Sequence, residues 1–386
     1  MALNPFVWDR PLTDPGKIVG MDDFARDVAL TLKAQTNVAI FGPRDTGKST
    51  FLTALARELG REHEADAPPH LMVRVNLKRA LSIPAFSSCV DHALRHHPDH
   101  AIRRAASREL EVLERELGVD LKVVRATVKR TPRRGGPDPA DILHAQLEAL
   151  GRLGNHVVVC FDEFQRLNRC PGDPLAIIGS ALLSEEAAHV SLLFTGSIRE
   201  YLEMLLNNSR EPIFNQAHKM QLPRISAADF AEFLDFNFQA TQRLVEPRAI
   251  DHLLAITSAH PKRTQQLAWA AWRRGPQISI DDVQAAYEDL LKDQQADFAT
   301  IEETLANGEE TEATERKALY LLADHAGQGL TSVNLAERYG LGARMSAKRA
   351  MPRLVRRGLV EPHAGSWRII DPFLADWLRR TSPFSE

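Results

Sequence analysis

Short apolar runs bounded by polar or turn residues recur through the first half of the chain: NVAIFG (37–42), LMVRVNL (71–77), HVVVCF (156–161), VSLLF (190–194) and KMQL (219–222). Runs this short predict strands buried on both faces, the signature of a parallel sheet. Helical spacing fills the gaps. Phe51, Leu52, Leu55 and Leu59 recur on one face until Gly60, and further helices are expected at about 84–97 and 101–117. Strand and helix alternating in this way predict an α/β domain over residues 1–222, with helices on both faces of the sheet.

From Ser226 to about Ala306 the strand pattern stops. SAADFAEFLDFNFQATQ opens on a serine N-cap and carries an aromatic stripe at core spacing. Helices follow at about 248–258, 261–274 and from Asp281, giving a helical domain over 223–306, and the polar ANGEET (306–311) reads as a linker. Residues 311–386 change pattern again, with three helices in TEATERKALYLLADH, TSVNLAERYG and ARMSAKRAMPRLVRRGLV. A hairpin of LVEP and SWRII comes next, then DPFLADWLRR. Three helices and a small hairpin spell a winged helix-turn-helix, with Pro352 expected to kink or restart the third helix.

Charge sharpens one part of this picture. The 386 residues hold 48 basic and 51 acidic side chains, so no global bias marks a nucleic-acid coat or a membrane surface. Residues 311–386, however, hold 12 basic against 8 acidic groups, a net of +4 that leaves −7 on the rest. A basic end on an acidic body raises duplex DNA as a partner. Three cysteines make neither a disulfide framework nor a four-thiolate zinc site. The N-terminus lacks a signal-peptide layout and no apolar run is long enough to span a bilayer, so a cytoplasmic protein without a membrane partner is expected.

Four stretches carry candidate chemistry. FGPRDTGKSTFL matches G-x-x-x-x-G-K-[ST] from Gly42 to Ser49, between a strand and a helix as the motif requires. The backbone N–H groups of Gly42, Pro43–Thr46 (Pro43 excepted, with Arg44 and Asp45 between) and Gly47 to Thr50 would surround phosphates at a helix N-terminus. Lys48 would reach the β- and γ-phosphates of ATP, and Ser49 would ligate Mg2+. VVVCFDEF ends on Asp162, a second Mg2+ ligand, and Glu163, which can orient or deprotonate water. That pairing favours hydrolysis over phosphoryl transfer to a small acceptor. In LLFTGSIRE, Thr195 and Ser197 stand at the next strand's tip, where a side chain could touch the γ-phosphate. Arg199 and Arg210 follow as candidate trans-acting arginines. In TSAHPKRTQQL, Pro261 suits a first helical turn, and Lys262 and Arg263 stand beside it, either on the nucleotide or in solvent. A fifth stretch, about 120–137, carries Lys122, Arg125, Lys129, Arg130, Arg133 and Arg134 and reads as a solvated hairpin and loop or as a basic finger.

These elements in this order resemble an AAA+/STAND-type P-loop ATPase of the archaeal-ATPase group, related in layout to origin-recognition initiators. NPF…DPGKIVGMDDF…VAIFGPRDTGKSTFL is similar to that group's N-terminal signature, HPKRTQQL to its lid motif and GLVEP…WRIIDPFLADWLRR to its winged-helix end. The resemblance implies an AAA+-like parallel sheet, a helical lid and a C-terminal winged helix. Gly42–Thr50 would be Walker A, Asp162 and Glu163 Walker B, Thr195 or Ser197 sensor 1, and Lys262 or Arg263 sensor 2. Five positions depart from the pattern. Met21 stands for an arginine, Asp45 for a common glycine and Ala259 for the lid glycine, while Asn215-Gln216 replaces Gly-Arg after PIF.

The third helix of the last domain carries Arg344, Lys348, Arg349, Arg353, Arg356 and Arg357 with no acid between, and the hairpin adds His363 and Arg368. A helix so charged could lie in a major groove with the hairpin on flanking phosphates. The expectation is a slow ATPase switch that couples nucleotide state to homo-oligomerisation and DNA binding. The alternative is a nucleotide-gated signalling module whose winged helix binds a protein partner in trans.

Overall fold

Three of the expected apolar runs form strands buried along their whole length. They are β1 (Val38–Phe41), β3 (Val157–Asp162) and β4 (Ser191–Gly196), with β2 (Leu71–Asn76) and β5 (His218–Gln221) half-exposed at the edges. All five run parallel in the order β2-β3-β4-β1-β5. Burial on two faces makes continuous hydrophobicity pay in β1, β3 and β4, while the edges tolerate Arg74, His218 and Lys219. The structure, a computed structural model, describes residues 3–12, 14, 17–61, 70–117, 138–151, 157–182, 190–197, 217–306, 310–342 and 345–384.

The chain divides into two compact units. One comprises residues 22–42 and 52–223 and holds the sheet. It also contains α1 (Asp22–Lys33), most of α2 (Lys48–Leu59), α3 (Ile83–Arg95), α4 (His100–Leu117), α5 (Pro139–Gly151) and α6 (Pro174–Leu182). α3 starts where Ser82 accepts a hydrogen bond from the Ala85 N–H (3.4 Å), and Ile83, Phe86, Val90 and Leu94 form its buried stripe. Against it, Ser87 donates to Gln146 of α5 at 2.6 Å. Phe161, Phe164 and Phe194 pack together at the core, with the latter two rings 4.6 Å apart. Each such fully buried aromatic side chain contributes about 3 kcal/mol.

The other unit comprises residues 1–21, 43–51 and 224–386. Ser226 caps α7 (Ala227–Ala240) as expected, accepting from the Asp229 N–H. The aromatic stripe meets the N-terminal segment, with Phe6 4.8 Å from Phe238 and 6.2 Å from Phe233. Asn4 donates to the Trp269 carbonyl at 3.0 Å, so the NPF signature is an anchor onto this unit. The strand-free expectation for 226–306 needs correction. Two short strands, β6 (Leu244–Val245) and β7 (Gln277–Ile278), pair in parallel there. Two residues are too few for a period, so only tertiary pairing reveals them. Around them lie α8 (Pro247–Thr257), α9 (Pro261–Trp272), α10 (Ile280–Asp293) and α11 (Gln295–Ala306).

The last segment forms α12 (Glu310–Asp324), α13 (Val333–Arg338) and α14 (Ser346–Arg357), the antiparallel pair β8 (Val360–His363) and β9 (Ser366–Ile369), and α15 (Pro372–Thr381). The expected restart at Pro352 does not occur, because α14 continues through it. Pro352 and Lys348, one turn earlier, are both exposed, so the carbonyl that loses its helical donor faces water rather than the core. Gly358 then ends the helix at φ +74°, in the left-handed conformation.

Candidate functional site

β1 enters the glycine loop at Gly42, whose N–H donates to the Gly196 carbonyl of neighbouring β4 at 3.3 Å. The loop turns through two left-handed residues, Asp45 (φ +62°) and Gly47 (φ +94°), before α2 starts on Lys48. A side chain at position 47 would be strained, and its Cβ would lie 2.9 Å from the Met21 methyl. Thr46 Oγ1 and Lys48 Nζ each donate to the Pro43 carbonyl at 2.7 Å, which folds the loop around its own backbone. Thr50 Oγ1 accepts from the Leu12 N–H at 3.3 Å and ties the loop to the N-terminal segment.

Asp45 now has an explanation. Aspartate is among the few residues that adopt the left-handed region at modest cost, so it can stand where a glycine is common. Its carboxylate pairs with Lys262 Nζ at 3.0 Å, from the first turn of α9. Arg263 does not join it. It is buried, with two hydrogen bonds to Asp371 and Nη1 donating to Gln266 (2.6 Å) and to Gln294. Phe373 lies 4.7 Å from its guanidinium carbon. Adjacent helical residues project about 100° apart, so Lys262 and Arg263 cannot both face the loop.

His260, which the sequence reading passed over, caps α9 by accepting from the Arg263 N–H. It is 3% exposed, and burial lowers its pKa to about 4, opposed by Asp371 and Asp45 and reinforced by Arg263 and Arg224.

At the carboxyl edge of the sheet, Asp162 stands opposite Thr195 in the β3–β4 register. Thr195 Oγ1 donates to Asp162 Oδ1 at 2.6 Å, and Arg74 of β2 places two donors on Oδ2, Nε at 3.1 Å. Arg74 was missed; its signal was the lone charge in LMVRVNL. Glu163 follows in the left-handed conformation (φ +62°), an arrangement that stores strain of about 1–2 kcal/mol. Gln165 Nε2 donates to Glu163 Oε2 (2.6 Å) and to Ser197 Oγ (2.8 Å), and Ser197 Oγ lies 3.3 Å from the same carboxylate oxygen. Thr195 thus serves the aspartate and Ser197 the glutamate, while Gln165 joins the cluster unannounced.

The donor types of this cluster suit Mg2+, since Asp162 and Thr195 offer hard oxygens, although a guanidinium already occupies one Asp162 oxygen. Cysteine chemistry is disfavoured. Burial pushes the Cys160 thiol well above its ordinary value, with Asp162 adding and Arg74 opposing, and burial likewise raises Cys89 and Cys170. Among the described residues no group of three or more His, Cys, Asp or Glu side chains is gathered to hold a metal, and no helix is long and apolar enough to cross a membrane.

The basic surface of the C-terminal segment is smaller than its sequence suggests. Arg353 and Arg357 both bind Glu315, which is 1% exposed, and Arg357 also binds Glu312. Arg368 binds Glu361, which Arg224 also contacts. Those three arginines pair with carboxylates of their own unit, while Lys348, Arg349, Arg356 and Arg357 are all exposed. Arg199, Arg210, Arg344, Asn215-Gln216 and the basic stretch at 120–137 lie outside the described residues.

A glycine loop at the end of β1 and an acid pair at the end of β3, with β4 between them in an all-parallel sheet, define a P-loop nucleoside-triphosphatase fold. The chain is similar in structure to the Walker-type ATPase paby2304 of Pyrococcus abyssi, with a TM-score of 0.68 at 16% identity over 96% of this chain and 99% of that one. It is also similar to the ADP form of the Aeropyrum pernix ORC2 protein, with a TM-score of 0.50 at 15% identity over 93% of each chain. At such identities the likeness is one of fold. Neither a protein-family model nor a curated protein matches the chain.

Proposed function

We propose that the chain is an ATP-binding and slowly ATP-hydrolysing switch in three domains, the sheet domain (1–222), a helical lid (223–306) and a winged helix (311–386). The observation that carries this reading is the acid pair itself, with Asp162 fixed by Thr195 and Glu163 by Gln165 and Ser197. The ADP bound by the similar ORC2 protein supports a nucleotide in this fold. In this reading the backbone N–H groups of the Gly42–Thr50 loop hold the phosphates, and Lys48 exchanges the Pro43 carbonyl for a β- or γ-phosphate oxygen. Lys262 approaches from the lid once Asp45 releases it. Asp162 and Ser49 would hold Mg2+, which screens charge on the phosphates. Glu163 orients a water for in-line attack and accepts its proton, while the amide of Gln165 keeps that carboxylate in place.

Lys48→Ala should abolish ATP binding. Glu163→Gln should keep affinity within a few-fold and slow phosphate release by about a hundredfold or more. Unchanged ATP affinity in Lys48→Ala would overturn the reading.

The output is duplex DNA, contacted by the exposed Lys348, Arg349 and Arg356 of α14, with ATP promoting a homo-oligomer. Replacing all three by serine should lower the slope of log affinity against log salt by about 2.7, roughly 0.9 per phosphate contact. The pairing of Arg353, Arg357 and Arg368 inside the unit favours a second reading, in which the winged helix docks a protein partner in trans. No salt-sensitive DNA affinity in the full chain, with or without ATP, would select that second reading.

A further inference from the structure

Arg74 is the one charged residue in an otherwise apolar or amide-bearing strand, and it is aimed along the sheet at the residue best suited to hold a metal. In the β2–β3 register Arg74 lies opposite Cys160 and Asn76 opposite Asp162. Residues two apart share a face, so Arg74 and Asp162 lie on one face and the guanidinium runs toward the carboxyl edge. Two of its N–H groups converge on the same Asp162 oxygen, while the other oxygen accepts from Thr195. The Asp162 side chain is 5% exposed and that of Arg74 is 32% exposed, so the arginine can leave toward solvent but the aspartate cannot.

We propose that Arg74 is the resident counter-cation of Asp162, competes with Mg2+ for that carboxylate, and thereby sets how much metal the nucleotide site requires. A guanidinium keeps its charge at every accessible pH, so the competition is permanent rather than pH-gated. With Arg74 in place the aspartate's charge is matched before any metal arrives, and a triphosphate meets a neutral pair. Without Arg74 the buried carboxylate is bare, repels phosphate and draws a divalent ion strongly. Full engagement of the metal then requires Arg74 to swing outward.

The inference rests on the nucleotide reading, and two arms keep the failures separate. In the first, a fluorescent non-hydrolysable ATP analogue is titrated into the full chain in EDTA and in excess Mg2+. Wild type should show affinities within about threefold of each other, and Arg74→Met a loss in EDTA of roughly tenfold or more, with Arg74→Lys between them. In the second arm Mn2+ alone is titrated and read by electron paramagnetic resonance, which needs no nucleotide. Arg74→Met should bind it roughly tenfold tighter than wild type, with Arg74→Lys between them. Should Arg74→Met fold poorly, Arg74→Lys carries both arms. Equal metal ratios in wild type and variants, or Mn2+ affinity unmoved by either substitution, would overturn the role of Arg74. Absent analogue binding in every protein, with Mn2+ affinity still raised in the variants, would instead sink the nucleotide reading and leave the Arg74–metal competition standing.

Discussion

Arg263 tests whether a basic residue in the lid motif serves a nucleotide or the fold. In the structure its fork grips Asp371, its remaining nitrogen reaches Gln266 and Gln294, and Phe373 covers it at 4.7 Å. Arg263→Met keeps the aliphatic volume and removes every one of those donors. Asp371 then loses its counterion while still accepting from the Phe373 N–H at the start of α15. Removing one partner of a buried ion pair costs about 3–5 kcal/mol, and the low end applies because water reaches part of the Asp371 carboxylate.

With a urea dependence of about 2 kcal/mol per molar, a loss of about 3 kcal/mol lowers the unfolding midpoint by roughly 1.5 M. The assay is favourable. All five tryptophans, Trp8, Trp269, Trp272, Trp367 and Trp377, lie in residues 1–21 and 224–386, so their fluorescence reports the unit that holds Arg263. Nucleotide affinity measured on the folded variant should stay within about threefold of wild type. A midpoint within about 0.3 M of wild type, together with a tenfold loss of ATP affinity, would refute this placement and restore Arg263 to the phosphates.

Further outcomes follow from the same geometry. His260 is buried neutral with its pKa lowered to about 4, chiefly by burial, so between about pH 6.5 and 4 the unfolded chain takes up a proton that the folded one refuses. Stability should therefore fall as pH drops through that window, by up to about 3 kcal/mol, and His260→Asn, which keeps the cap, should flatten the tryptophan-monitored profile; an unchanged profile would place the titration elsewhere. Asp45→Gly should relieve about 1 kcal/mol of left-handed strain, remove a negative charge from the loop and free Lys262, tightening ATP binding by roughly three- to tenfold in calorimetry. Weaker binding would mean that the Asp45–Lys262 pair helps to hold the nucleotide. Glu315→Gln should destabilise the chain by about 2–4 kcal/mol in thermal unfolding because two arginines share that buried carboxylate, whereas Glu312→Gln should cost about 1 kcal/mol or less.

The limits of sequence reading fall where residues distant in the chain decide a side chain's fate. The strands were legible because β1, β3 and β4 are buried throughout, and α7 because Ser226 begins it and its aromatics repeat at helical spacing. The glycine loop was legible because its backbone demands particular residues at fixed spacing. Nothing local distinguishes Lys262 from Arg263, which share one turn; Asp371, 108 positions away, does. Arg74 likewise went unremarked, because only the register sets it on the face of Asp162.

The third helix of the C-terminal segment shows the consequence for function. From Arg344 to Arg357 the chain holds six basic residues and no acid, a run that reads as a surface for phosphate. Glu315 of α12 lies 38 and 42 positions before Arg353 and Arg357 and takes both. A run of charge along a sequence is therefore not yet a field at a surface. Arg353 and Arg357 have a structural role in this segment, and a variant that deletes either while sparing Lys348, Arg349 and Arg356 should lose stability.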